Sequence, residues 1–166
     1  MPEKQTIRRA QEDKREGKAP STQAGEFVRE EMDHIREGKH GAKNTKQAIA
    51  IGLSKARRSG VKLRAPKKGK ASSRTRKQAK RDLSKGRSAG KKTSSRRSRA
   101  VRGALKKMGR SAASRQNLSR QARSASRKRS SSSRSAAAKK AVQTKGPTLL
   151  KRAAKKAART RERKAA

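Results

Sequence analysis

Only sixteen of the 166 residues are Leu, Ile, Val or Phe, against 53 Lys and Arg, and this scarcity limits the chain more than any other feature. Fixing the backbone of one residue costs about 1–2 kcal/mol. Burial of apolar surface is the main term that offsets that cost. With so few large apolar side chains and a net charge of +42, the composition falls in the range of intrinsic disorder. A sizeable single core is not expected.

The charge is unevenly placed. Residues 1–37 hold nine acidic and eight basic side chains, whereas residues 61–166 hold 39 basic and two acidic ones, Asp82 and Glu162. This asymmetry predicts a mixed-charge module followed by a basic arm. The boundary is placed near 63, where Pro66 and Gly69 follow the last clustered aliphatics. The expected fold class is mainly α: a small N-terminal helical hairpin module over 1–63, then a long, largely disordered basic arm with helix-forming segments.

Within the module, a polar helix is predicted over about 3–16, ending at Gly17. A second, over about 22–37, carries Ala24, Phe27, Val28, Met32 and Ile35 at helical spacing and stops at Gly38. A third, over about 45–58, is capped by Asn44 or Thr45 and carries Ala48, Ile49, Leu53 and Ala56. Val61 is expected to fold back on its end. About ten large apolar side chains at roughly 2 kcal/mol each make such a hairpin marginal, so self-association, for example as a homodimer through residues 22–61, or ligand binding is expected to stabilise it.

Residues 64–98 read as a basic linker and 99–166 as an arm with helix-forming stretches at about 99–108, 111–127 and 148–164. Like charges three or four apart weaken such helices in water. Phosphate neutralisation removes that cost, because Ala, Lys and Arg favour helix intrinsically.

The arm's cations are the chemistry the sequence offers. A net +37 over residues 61–166 equals the phosphate charge on roughly 60 Å of duplex DNA. Phe27 is the only aromatic side chain, so the base-stacking platform of single-strand readers is missing. The expected contacts are Arg96, Arg97, Arg99, Arg102, Lys106, Lys107 and Arg110 around the first arm helix. Arg127, Lys128, Arg129, Lys139 and Lys140 continue the surface, with Lys151, Arg152, Lys155 and Lys156 near its end.

Other motifs carry less. Gly86-Arg-Ser-Ala-Gly90-Lys91-Lys92-Thr93 resembles a phosphate loop, but its glycines are one residue too close and Lys92 stands where Ser or Thr is required. Arg127-Lys-Arg-Ser-Ser-Ser-Ser-Arg-Ser135 is read as a flexible polar linker whose serines would weaken binding if phosphorylated. His34 and His40, with Glu30, Glu31 and Glu37, offer metal-ligand chemistry, yet the spacing shows no convergent third ligand. The reading is therefore no metal and no cofactor. No nucleophile–base–acid set is evident, so no enzyme is expected. Cysteine is absent, excluding disulfides and thiolate metal sites. The longest apolar run, Ala48–Leu53, is six residues, too short for a membrane span or a secretory core. A cytoplasmic, nucleoid location is the expectation.

Two stretches carry a resemblance. Gly25-Glu-Phe-Val-Arg-Glu-Glu-Met-Asp-His-Ile-Arg-Glu-Gly-Lys-His-Gly41 and Thr45-Lys-Gln-Ala-Ile-Ala-Ile-Gly-Leu-Ser-Lys-Ala-Arg-Arg58 are similar to a bacterial family of small basic proteins of unknown function. The resemblance implies a bacterial origin and a shared helical module, and no activity. The remaining residues resemble in composition the Lys/Ala/Ser/Arg-rich tails of bacterial histone H1-like proteins, though without their Pro-Lys-Lys rhythm. Together these lead to a histone-like, nucleoid-associated protein that binds and compacts DNA without sequence preference. An RNA- or ribosome-associated basic protein is the alternative.

Overall fold

The computed structural model describes residues 2–87 and 94–165. Among these the chain forms helices α1 (Lys4–Arg15), α2 (Pro20–Arg36), α3 (Thr45–Arg58), α4 (Ser73–Arg87) and α5 (Ser95–Lys106). A 3-10 turn at Ser111–Ala113 precedes α6 (Arg115–Arg127) and α7 (Ser131–Ala165). The chain divides into two units, Met1–Gln121 and Ala122–Ala166.

The first unit overturns the expected disordered arm. The chain does not leave the N-terminal helices at residue 63; α4 packs on α3, and the 3-10 turn packs on both α2 and α3. One apolar cluster joins Ala10, Ala24, Phe27, Ala56 and Val61, with Ile7, Leu53 and Leu63 at its edge. The other joins Met32, Ile35, Ala42 and Ala48 to Ala112 and Ala113, with Val28, Ile49 and Leu118 beside them. The residues that complete the hairpin's core thus come from the stretch read as arm. They pack on the apolar residues of α2 and α3.

Composition misled because the core is built from alanine. Among the described residues, eight of the twelve buried apolar side chains are Ala. Each contributes little hydrophobic area, but small side chains let helices approach closely and gain dispersion contacts. Gly52 of α3 marks one close approach, where a Cβ would stand 2.7 Å from the Val28 Cα of α2.

Polar groups supply the rest. Thr45 Oγ1 donates to the Ala112 carbonyl at 2.7 Å and Arg36 Nε to the Ala113 carbonyl at 3.2 Å, so the 3-10 turn is tied as well as packed. Arg9 pairs with Glu26 at 2.7 Å between α1 and α2. At the α1–α2 turn Lys18 pairs with Asp13 and Glu16, both at 2.7 Å, and these carboxylates, Asp13 first, raise its pKa.

Local signals place the helix ends. Pro20 opens α2 at its first turn, where a missing N–H costs nothing. Gly38, at φ 79°, ends α2 in the left-handed conformation glycine adopts cheaply. The Asn44 side chain accepts from the Gln47 N–H at 2.9 Å and caps α3. At its other end the Val61 N–H donates to the Ala56 carbonyl at 3.1 Å.

The second unit holds the end of α6 from Ala122 and all of α7. Helix α7 breaks at Gly146 (φ 66°, ψ 167°), followed by Pro147. The serine tract expected to be a flexible linker instead starts α7, with the Ser130 hydroxyl accepting from the Ser133 N–H at 3.2 Å. Described side chains here are almost all exposed, including Val142 and Leu149. Among the described residues, no helix is long and apolar enough to cross a membrane.

Candidate nucleic-acid interface

Helix α4 is fastened to α3 by one acidic residue. Asp82 is 1 % exposed. It accepts from Ser54 Oγ at 2.7 Å, Arg58 Nε at 2.9 Å and Gln78 Nε2 at 3.1 Å. Ala79 is buried alongside, and Gly86 lies so close to the Arg57 carbonyl that no Cβ fits. With these residues turned to α3, the stripe Arg74, Gln78, Arg81 and Lys85, spaced by four, three and four, takes a neighbouring face of the helix.

That stripe lines a cleft of about 760 Å³ with Arg58 and with Arg97, Ser98, Val101 and Arg102 of α5. Among the described residues no carboxylate pairs with Arg74, Arg81, Lys85, Arg97 or Arg102. The one nearby acid, Asp82, is already committed to Arg58. Like charges gathered along a concave wall concentrate a positive field, and guanidinium forks suit bidentate contact with phosphate oxygens.

Helix α5 is anchored by main-chain bonds at its C-terminal end. The Gly41 N–H donates to the Leu105 carbonyl at 2.9 Å and the Ala42 N–H to the Gly109 carbonyl at 3.2 Å. The Leu105 carbonyl also accepts from the Met108 N–H at 3.1 Å, so the first of these bonds is added to the helix end's own. Gly41 packs directly on the Met108 carbonyl, leaving no room for a Cβ.

The residues expected from sequence to contact nucleic acid fall into two groups. In the first unit Arg96, Arg97, Arg99, Arg102 and Lys106 are exposed on α5. Of these, Arg97 and Arg102 enter the cleft, while Arg99, Arg102 and Lys106 line a smaller concavity of about 470 Å³. Lys107 caps the helix, and the Arg110 side chain lies against Gly38. In the second unit Arg127 ends α6, and Lys128 and Arg129 link it to α7. Lys139 and Lys140 precede the break at Gly146, and Lys151, Arg152, Lys155 and Lys156 follow it. All nine are exposed.

Arg58, Arg74, Arg81 and Lys85, which line the cleft, were not among the expected contacts because their segments read as module and linker. A helical-period basic stripe over 74–85, beside Ala79 and Asp82, was the signal for them. Residues 88–93, which contain most of the phosphate-loop-like motif, lie outside the described residues.

A second polar cluster lies where α2 ends. Glu31, His34 and His40 bring one ligand atom each within 4.8 Å of one another, so a third ligand does converge where spacing had shown none. His34 Nε2 is 2.8 Å from Glu3 Oε1, and Lys39 Nζ is 3.3 Å from the same oxygen. His34 first, then Lys39, holds the Glu3 carboxyl below the usual carboxylate range.

A family model described as a family of unknown function (DUF6496) matches residues 20–69. The matched stretch covers α2, α3 and the segment after Gly60, and so includes Glu31, His34, His40 and Arg58. No curated protein and no solved structure matches the chain.

Proposed function

We propose that this protein binds duplex DNA through its phosphates, without sequence preference, and draws duplex segments together as a histone-like, nucleoid-associated protein. The observation that carries the reading is the cleft between α4 and α5, where Arg58, Arg74, Arg81, Lys85, Arg97 and Arg102 meet with Asp82 as the one acid at its base. The second unit carries exposed cations of its own, and sixteen basic residues against one acidic residue follow Gln121. Two cationic units in one chain give a means of touching two duplexes.

Phosphate contact releases counterions, so ten engaged phosphates give a log–log salt slope near −9. Base reading needs side chains aimed at groove edges, and the cleft's fork-ended arginines have no such requirement. The role assigned is binding rather than catalysis.

The test is a competition at matched phosphate concentration between random-sequence duplex DNA and structured RNA, using the full chain at ~50 mM salt. Preferential retention of duplex, with little change between unrelated sequences, is expected. Preferential retention of RNA would favour the ribosome-associated alternative, and no binding to either would overturn the reading.

A further inference from the structure

We propose that Glu31, His34 and His40 form a Zn²⁺ site, independent of the basic cleft. Glu31 and His34 stand three residues apart on α2, so they share a helix face. His40 comes back to them from the loop that follows Gly38. Their ligand atoms already lie within 4.8 Å of one another.

The buried carboxylate is the first sign. The Glu31 side chain is fully buried, and neither of its oxygens receives an aligned hydrogen bond. Lys55 Nζ stands 2.7 Å from Oε2 as an ion pair. The other oxygen, Oε1, faces His40 Nε2 at 3.2 Å. A buried carboxylate is costly unless cations compensate it; Lys55 does so at Oε2, which leaves Oε1 as the oxygen turned toward the two histidines.

The orientation of His40 is the second. Its Nδ1 lies 3.1 Å from the Gly41 carbonyl. A carbonyl can only accept, so Nδ1 is the donor of that contact, and the Nε2 edge of the ring faces Glu31. A metal ion between Nε2 and Oε1 would be held by both, taking the place of a proton on Nε2. Imidazole held through its other nitrogen by a backbone carbonyl is how metal-ligating histidines are oriented. Tetrahedral zinc with bonds of about 2.0–2.1 Å places neighbouring ligand atoms roughly 3.3 Å apart, which the Glu31–His40 edge matches.

His34 completes the set. Its ring meets the His40 ring edge-on, with centroids 6.2 Å apart. Its Nε2 is 2.8 Å from Glu3 and 3.9 Å from Glu30 Oε1. Ligation through Nε2 would put the ion in place of its contact with Glu3, any proton on that nitrogen passing to solvent, and Glu3 or Glu30 would then supply the fourth position. Glu31 would bind through Oε1 and keep Oε2 on Lys55. Two imidazoles and a carboxylate suit Zn²⁺ rather than Mg²⁺ or Ca²⁺, which prefer all-oxygen shells.

The test uses the full chain, stripped with chelator and dialysed, titrated with Zn²⁺ by calorimetry and with Co²⁺ by visible absorption. One ion per chain is expected, with Co²⁺ giving the intense d–d bands of four-coordinate nitrogen–oxygen ligation. His34→Ala and His40→Ala, both at partly exposed rings, should each weaken binding at least ~10-fold, with far-UV circular dichroism unchanged. These are the only histidines and there is no cysteine, so loss of the Co²⁺ bands in either variant locates the ion. If a variant fails to fold, the Co²⁺ spectrum of the unaltered chain decides alone. Absence of stoichiometric binding, a spectrum of all-oxygen hexacoordination, or binding undiminished in folded variants would overturn the proposal.

Discussion

Arg58 of α3 and Asp82 of α4 meet at 2.9 Å, with the carboxylate buried and the guanidinium half-exposed at the base of the basic cleft. Asp82 therefore has two effects: it joins two helices, and it cancels one charge in a wall of cations. Asp82→Ala should lower the urea unfolding free energy by about 3 kcal/mol, because three donors lose their acceptor together. Asp82→Asn keeps the shape and should cost about half as much. Loss of less than ~0.5 kcal/mol in the alanine variant would show that α4 is held by other means.

Two glycines near α5 should respond in opposite directions. Gly41→Ala drives a methyl into the Met108 carbonyl, so thermal unfolding should fall by several degrees as the loop and α5 separate. Gly103 sits inside α5 with nothing near the position of a Cβ. Gly103→Ala should stabilise by about 0.5–1 kcal/mol through helix propensity. Equal effects of the two would contradict the docking of α5.

The folding unit runs well past the N-terminal helices, so truncation has a sharp expectation. Residues 1–121 should unfold cooperatively in urea. Residues 1–63 lack Asp82 and the Ala112–Ala113 turn and should show a broad, low-amplitude transition. A cooperative transition of equal midpoint in the short fragment would restore the autonomous hairpin.

Lys18 gives a pH-dependent expectation. Asp13 and then Glu16 raise its pKa above the ordinary 10.5, so its contribution is complete below that pH and fades as pH climbs beyond it. Lys18→Met should be less stable than the unaltered chain at neutral pH. That difference should shrink in alkaline melts, and a difference that grows with pH would contradict the sign.

The first three helices were legible because their signals are local: apolar spacing at Phe27, Met32 and Ile35, the Asn44 cap, and the stops at Gly17, Gly38 and Gly60. Val61 folding onto Ala56 was legible for the same reason. What composition concealed was non-local. Ala112 and Ala113 are unremarkable in a stretch rich in Ala, Ser and Arg, and their burial depends on helices more than sixty residues earlier. Asp82 was visible as a rare acid in basic sequence, but its meaning needed Ser54 and Arg58 beside it. The basic stripe of α4 was readable by period alone; that it shares a cleft with α5 was not. The converging Glu31, His34 and His40 depended on a loop reversing direction after Gly38, which spacing does not reveal.

The account stands most directly on whether the cleft cations touch phosphate. The measurement is the salt slope of duplex binding for the full chain against a variant carrying Arg74→Gln, Arg81→Gln, Arg97→Gln and Arg102→Gln, both with native circular dichroism. Four lost contacts should flatten the slope by about 3–4, at roughly 0.9 per phosphate, with weaker binding at every salt concentration. An unchanged slope in the folded variant would place the contacts elsewhere and contradict the cleft as the nucleic-acid interface.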